Sequence, residues 1–381
     1  MDRYSNANIG FFIIDYSSGG GVERVTANLM REFSEQGFQH LYLISLKADN
    51  QQPAMGYPAV KDLKILGRKK GFAEEFGNYL KQQNIQHLIF QGDNMTIGLE
   101  VLKAAKLANC KAYPQYHGSP YAYLRKYPDA EHANLLKRLL ASIVYPFKKS
   151  KLRKFIQSSP QGLFCVSNGS ADELKHLFRG ENTIVNKIKV IHNPILLNER
   201  IASNKQNRIT LVSRLESRHK NAFLALKAWE LIAEKYPNWR LVILGSGGLE
   251  SKMKRYCERY NVKNVDFKGF VKNVEAELAL SKISINVSNC EGFSMAIAEA
   301  ITQGNAIAIT DSDGGIRDMG IHYETALVSP KNDAQDLAKH IAQLIEDNNL
   351  MKRLSENAYE NLRQMTLEEK PFSLWIKMFA S

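Results

Sequence analysis

Four side chains in the second half of the chain could handle a phosphorylated sugar: Arg214 and Lys220, in VSRLESRHKN, and Glu291 and Glu299, in CEGFSMAIAEA. An arginine grips a diphosphate as a fork and a lysine as a point charge. A carboxylate accepts hydrogen bonds from vicinal hydroxyls, so one suits a hexose and one a ribose. Between these pairs stand Gly245, in LVILGSGG, and Gly269-Phe270, in VDFKGFV. A glycine lets the backbone close a turn or approach a phosphate. Singly, each has a plainer reading: Arg214 and Lys220 as solvated cations, Ser246 to Gly248 as a structural turn, Glu299 as a solvated helix residue. In order, they form the inventory for holding a nucleotide-sugar.

The surrounding pattern predicts the elements that position them. RITLVSR (Arg208 to Arg214) is apolar and β-branched, so it reads as a buried strand with Arg214 at its carboxyl end, where ligands bind in open α/β sheets. Lys220 then precedes an amphipathic stretch, AFLALKAWELIAEKY, with helical spacing. WRLVILGSGG is a strand entering a glycine turn, followed by a helix from Leu249; it lacks the third spaced glycine of a dinucleotide fingerprint. ISINVS (Ile283 to Ser288) is a further strand. Glu291 and Gly292 fall in the loop after it, and a helix starts near Ser294 and stops at Gly304. Glu299 lies about one and a half turns inside that helix. Backbone N–H groups from Phe293 to Met295 point at the helix start and favour an anion.

These segments resemble the retaining glycosyltransferases of family 4, strongly over residues 205 to 330 and more loosely elsewhere. The resemblance implies a GT-B fold: α/β, two doubly wound Rossmann-like domains facing across a cleft, with a C-terminal helix crossing back to the first. It places residues 1–200 and the helix at about 370–381 in an acceptor domain, and 201–369 in a nucleotide-sugar domain. Glu291 and Glu299 match the family's E-x7-E element, on the donor sugar and the ribose respectively. Arg214 and Lys220 match its diphosphate cations, and Phe270 and Val271 would lie near the base. Gly245, Gly292, Phe293, Ser294 and Met295 complete the implied donor set. In the first half, IGFFIIDYSSGGGVERVTANLMREFSEQGF resembles the family's opening β–loop–α unit, with Gly20 and Gly21 facing the donor or acceptor. His117, after the strand pattern KAYPQY, resembles the active-site histidine, and Ser167 a strand-ending serine. KVIHNPI keeps Asn193 of the family's hinge motif but has Pro194 where glycine is usual, and proline fixes φ and removes a donor. The implied catalytic set is His117, Glu291, Arg214 and Lys220. No metal and no cofactor is expected beyond the nucleotide-sugar, UDP-linked as is commonest in the family; Asp311-Ser312-Asp313 comes nearest to an acidic metal motif. The implied setting is bacterial envelope polysaccharide or lipopolysaccharide synthesis.

Bulk properties agree with two globular α/β domains: 381 residues, 44% hydrophobic and 24% charged. Four widely spaced cysteines match neither a zinc site nor a disulfide framework, favouring a reducing compartment. The sequence shows neither a transmembrane run nor a signal peptide, so a cytoplasmic location is expected. The formal net charge is +12, and it is uneven: residues 1–200 hold 27 Lys and Arg against 17 Asp and Glu. The excess gathers between Tyr121 and Lys154, where Arg125, Lys126, Lys137, Arg138, Lys148 and Lys149 are interleaved with tyrosines and aliphatic residues. Such a stretch suits an anionic acceptor or the inner face of the cytoplasmic membrane, each cation near lipid contributing on the order of 1 kcal/mol; it equally suits a solvated helix packed on the core. A nucleic-acid partner is not expected, since no recognition motif stands out and the second half is near neutral. A GT-B sugar-nucleotide epimerase and a non-catalytic nucleotide-sugar binder remain as alternatives.

Overall fold

The computed structural model describes all residues except 1–5, 18, 49–55, 125–134, 198–203, 217–218, 368–369 and 381; in the helix Leu135–Ser158 side chains are described from 142 onward. The chain divides into two units, Met1–Leu124 with Arg138–Pro194 and Glu368–Ser381, and Arg125–Lys137 with Ile195–Leu367.

The first unit is built on seven parallel strands: β1 (Ile9–Asp15), β2 (Leu41–Lys47), β3 (Asp62–Ile65), β4 (His87–Gln91), β5 (Lys111–Tyr116), β6 (Leu163–Cys165) and β7 (Ile188–Val190), in the order β3-β2-β1-β4-β5-β6-β7. The central strands are apolar on both faces because helices cover both; IGFFIID and HLIFQ are buried almost throughout. The helix Gly21–Glu35 follows β1 and buries Val25, Leu29, Met30 and Phe33. The C-terminal helix Pro371–Ala380 packs on the same unit. Its Phe372, Trp375 and Phe379 share one face at helical spacing and meet Phe33, Phe38, Tyr113 and Phe164, with Phe33 and Phe372 ring centroids 4.9 Å apart.

The second unit repeats the design with β8 (Gln206–Val212), β9 (Arg240–Leu244), β10 (Val265–Gly269), β11 (Ser281–Asn286), β12 (Cys290–Glu291), β13 (Ala306–Thr310), β14 (Asp313–Gly314) and β15 (Leu327–Ser329). Six of these form a parallel sheet in the order β10-β9-β8-β11-β13-β15, and β12 pairs with β14. The helix after Lys220 spans Ala222–Glu230 and stops short of the whole amphipathic stretch. Beyond it the backbone tightens into i→i+3 bonds, Ile232 to Trp229 and Tyr236 to Ala233, ahead of Pro237. Trp229 is fully buried, and its indole N–H is satisfied by the Lys263 carbonyl at 2.9 Å.

In each sheet the strand order reverses once, between β1 and β4 and between β8 and β11. Connections leave such a switch point in opposite directions and open a crevice at the carboxyl ends of its two strands. The loops of interest lie there: β1 leads to Gly20-Gly21, β8 to Arg214 and Lys220, and β11 to Glu291.

Candidate active site

In the second unit the strand-end loops interlock. Ser213 donates its N–H to the Leu244 carbonyl (2.9 Å), Leu215 to Ser246 (3.0 Å) and Gly245 to Gly269 (2.7 Å), so the turns after β8, β9 and β10 hold one another. Gly245 has φ +132°, a region closed to most side chains, and an added Cβ would collide with the Ser213 carbonyl oxygen. Gly245 is therefore required by the backbone, whatever else it touches.

Across the β8–β11 switch point Lys220 Nζ meets Glu291 Oε1 at 2.6 Å, with side-chain exposures of 25% and 10%. The same oxygen accepts from Ser288 Oγ at 2.6 Å. Ser288 is set in turn by Asn286, whose Oδ1 accepts the Ser288 N–H (2.9 Å) and whose Nδ2 donates to Ser294 Oγ (3.0 Å). Ser294 is the N-cap of the helix Met295–Thr302 and accepts from Ile297 N–H. One polar chain thus links the end of β11, the Lys–Glu pair and a helix N-terminus. Glu291, expected in a loop, sits instead on the two-residue strand β12, paired in register with Gly314. That ladder and the lysine hold the carboxylate in place while it stays 9% exposed.

The other expected donor residues of the second half lie in the same unit. Arg214 lies two residues past β8 and is exposed, 3.7 Å from Glu216. Phe270 is exposed after the left-handed Gly269, and Val271 beside it is half-buried. Gly292, Phe293 and Met295 are buried at the helix start, and Glu299 is half-buried inside the helix. Asp311 is held bidentately by Arg317 (2.9 Å on each oxygen), and Asp313 by Lys331 at 2.8 Å. Both carboxylates of the Asp-Ser-Asp segment are thus engaged with cations, and among the described residues no three His, Cys, Asp or Glu gather as a ligand set.

At the carboxyl edge of the first sheet, Gly20 is the N-cap of Gly21–Glu35 in an extended conformation. His117 follows β5 directly, and its Nε2 bonds Gln91 Oε1 at the end of β4. Burial pushes the imidazole down to about 3, so the ring is neutral near pH 7. Ser167 caps the helix Asn168–Leu177 through the Ser170 N–H at 3.1 Å. Asn193 is buried just before Pro194. Sequence reasoning missed Gln91, Gln115, Asn286 and Ser288. The signal for them was a polar residue closing an otherwise apolar strand run.

The basic stretch divides. Arg125 and Lys126 lie outside the described residues, as do the side chains of Lys137 and Arg138. Lys148 donates to the Tyr123 carbonyl at 2.7 Å, Lys149 lies over the Phe178 ring at 5.5 Å, and Arg153 pairs with Glu181 at 2.7 Å on both oxygens. These cations hold the helix to its own unit. What protrudes beside them is apolar: Ile143, Tyr145 and Phe147 are 59%, 40% and 72% exposed. Among the described residues, no helix is long and apolar enough to cross a membrane.

Two parallel sheets of this strand order are the fold of the GT-B glycosyltransferases. The chain belongs to that enzyme family: residues 19–199 match the Glycosyltransferase Family 4 domain and residues 196–361 the Glycosyl transferases group 1 domain. An uncharacterized glycosyltransferase of Haemophilus influenzae is 23% identical over 92% of this chain and 94% of its own. The poly(glycerol-phosphate) alpha-glucosyltransferase of Bacillus subtilis is 30% identical over 44% of this chain, a match that spans 24% of that longer protein. Among solved structures, Anabaena Alr3699/HepE in complex with UDP and glucose shares the fold at a TM-score of 0.73 and 14% identity, covering 99% of this chain and 100% of its own.

Proposed function

We propose that this glycosyltransferase moves a sugar from a UDP-sugar to a glycan or lipid-linked glycan of a bacterial envelope, with retention at the anomeric carbon and without a metal ion. The observation that carries the reading is the Lys220–Glu291 contact at the β8–β11 switch point. Lys220, Arg214 and the N-terminus of Met295–Thr302 would neutralise the leaving diphosphate, stabilising charge where it develops. Glu291 would accept hydrogen bonds from the donor sugar and Glu299 from the ribose. His117 would contact the sugar as a neutral imidazole. UDP is favoured by the ligand of the Anabaena structure, and an anionic envelope polymer by the polyol-phosphate acceptor in the name of the Bacillus relative. A thermal titration with UDP, GDP and ADP tests the donor. UDP alone should raise the melting midpoint of the wild type, and Lys220→Ala should lose the response, because a ligand stabilises the state that binds it. Equal responses to all three diphosphates, or none, would reject the donor assignment. Inhibition of transfer by a chelator would reject the metal-free mechanism.

We also propose peripheral contact with an anionic membrane at the cytoplasmic face, carried by Ile143, Tyr145 and Phe147 more than by the cations already engaged beside them. Apolar insertion and charge act together at a lipid interface. Phe147→Glu should release the protein from phosphatidylglycerol vesicles in a sedimentation assay while leaving UDP binding intact. Undiminished sedimentation of that variant would refute the role of this segment.

A further inference from the structure

The helix Glu250–Tyr260 leaves the carboxyl edge of the second sheet after the glycine turn that follows β9, and it runs back to the start of β10, because β9 and β10 are parallel. Its last turns therefore lie toward the edge opposite Arg214 and Glu291. Beside this helix is an open groove of about 650 Å³, lined by Phe223, Tyr256 and Tyr260 and by Lys252, Arg255 and Arg259. Residues three and four apart are neighbours on a helix, so Lys252, Arg255, Tyr256, Arg259 and Tyr260 fall on one side of it. The three rings form a row. Phe223 and Tyr256 meet edge to face with centroids 5.1 Å apart, and Tyr256 and Tyr260 are 4.5 Å apart. Phe223 and Tyr256 are half-buried, and Tyr260 is 51% exposed. The Tyr256 hydroxyl donates to Glu230 Oε2 at 2.6 Å, which pins the middle ring and occupies that carboxylate.

The groove's cations are not spent on the protein's own acids. Lys252, Arg255 and Arg259 make no ion pair with a described residue. Elsewhere in the same unit the pattern differs: Lys254 pairs with Glu250 at 2.7 Å, Arg240 with Asp266 at 2.9 Å and Lys235 with Glu346 at 2.6 Å. Lys252 lies over the Phe223 ring at 5.6 Å and Arg259 over Tyr260 at 5.5 Å, so charge and ring face share one surface. Among the described residues on the groove wall, Glu258 alone is acidic, against three cations. Such a wall calls for an anion, and a guanidinium takes a phosphate or carboxylate as a fork. A tyrosine offers an apolar ring face beside a polar hydroxyl, as the carbon skeleton and hydroxyls of a sugar or polyol require. A lipid surface would need apolar tips that stand out, as Phe147 does; here two of the three rings are recessed. We propose that this groove is a second binding site, apart from the donor site, for an anionic glycan chain. Its sugar or polyol units would lie on the Phe223–Tyr256–Tyr260 row, and its anionic groups would meet Lys252, Arg255 and Arg259. The envelope-polymer identity of that chain rests on the acceptor proposed above; the groove's affinity for an anionic glycan does not.

The test is a binding titration of the full-length protein with poly(glycerol phosphate), and with dextran as a neutral chain. It compares the wild type with Tyr260→Ser and with the double variant Arg255→Gln, Arg259→Gln, and melting curves show that both variants fold. The wild type should bind poly(glycerol phosphate) and not dextran. The double variant should bind it at least roughly tenfold more weakly, the scale of one charge-assisted hydrogen bond, and Tyr260→Ser should also bind it more weakly. Each variant should keep the wild-type response to UDP. No binding by the wild type, equal binding of both chains, or a double variant that binds as tightly as the wild type would overturn the site. A double variant that loses only a single-stranded oligonucleotide, or only phosphatidylglycerol vesicles, would assign the cations to nucleic acid or lipid and overturn the glycan. A polymer that binds through these residues but receives no sugar would reject it as the acceptor and leave the groove standing.

Discussion

Lys220→Ala is expected to lower sugar transfer by about 10²–10³-fold, the loss that follows removal of one preorganised charge from a reacting centre. The structure complicates the experiment, because Lys220 also neutralises a carboxylate only 10% exposed. Stripped of the lysine, Glu291 keeps the hydrogen bond from Ser288 Oγ. Breaking a fully buried ion pair destabilises by about 3–5 kcal/mol. A lysine one-quarter exposed leaves room for water, so the cost here should fall below that range. Stability and catalysis can be separated with Lys220→Ala combined with Glu291→Gln. The double variant removes the unbalanced carboxylate, so its urea midpoint should recover toward wild type while transfer stays below that of Glu291→Gln alone. Recovery of both together would mean that Lys220 serves the fold alone.

Gly245→Ala is expected to remove more than about 4 kcal/mol of stability, the range reached only by a backbone or core conflict. Two causes add. The residue sits at φ +132°, where a Cβ is strained, and that Cβ would press on the Ser213 carbonyl. The carbonyl cannot retreat easily, because Ser213 N–H is tied to Leu244 and Gly245 N–H to Gly269. Gly248→Ala provides the contrast three residues on: nothing lies within 4 Å of its added Cβ and its φ is ordinary. Its expected change is within about 0.5 kcal/mol. Urea denaturation of the two variants side by side checks the claim, and similar midpoints would contradict it. If Gly245→Ala folds at low temperature, UDP binding should also be weak, since the same turn carries the loops after β8 and β10.

Much of this was legible because parallel strands covered on both faces are written as unbroken apolar runs. IGFFIID reads directly as β1, and the strand patterns before Arg214 and Glu291 lie within two residues of β8 and β11. Ser294 as a cap and Gly304 as a stop follow from backbone needs that act over a few residues, so they too were visible. The bounds of the helix after Lys220 were less so, because amphipathic spacing ran on past the point where the chain tightens before Pro237.

The sequence by itself determined the strand runs before Arg214 and Glu291 and the order of the family-4 residues, since each is a property of local spacing. Tertiary structure decided which charges are spent on the protein's own packing. Lys148, in a stretch suited to lipid or an anionic acceptor, is bound to Tyr123, and Arg153 beside it to Glu181, 25 and 28 residues away. It also decided that Lys220 and Glu291, 71 residues apart, share one oxygen contact, and that His117 bonds Gln91 on the neighbouring strand. Those pairings depend on strand order, and strand order is fixed when separate β–α units bury their apolar faces against one another, a condition that no short window of sequence contains.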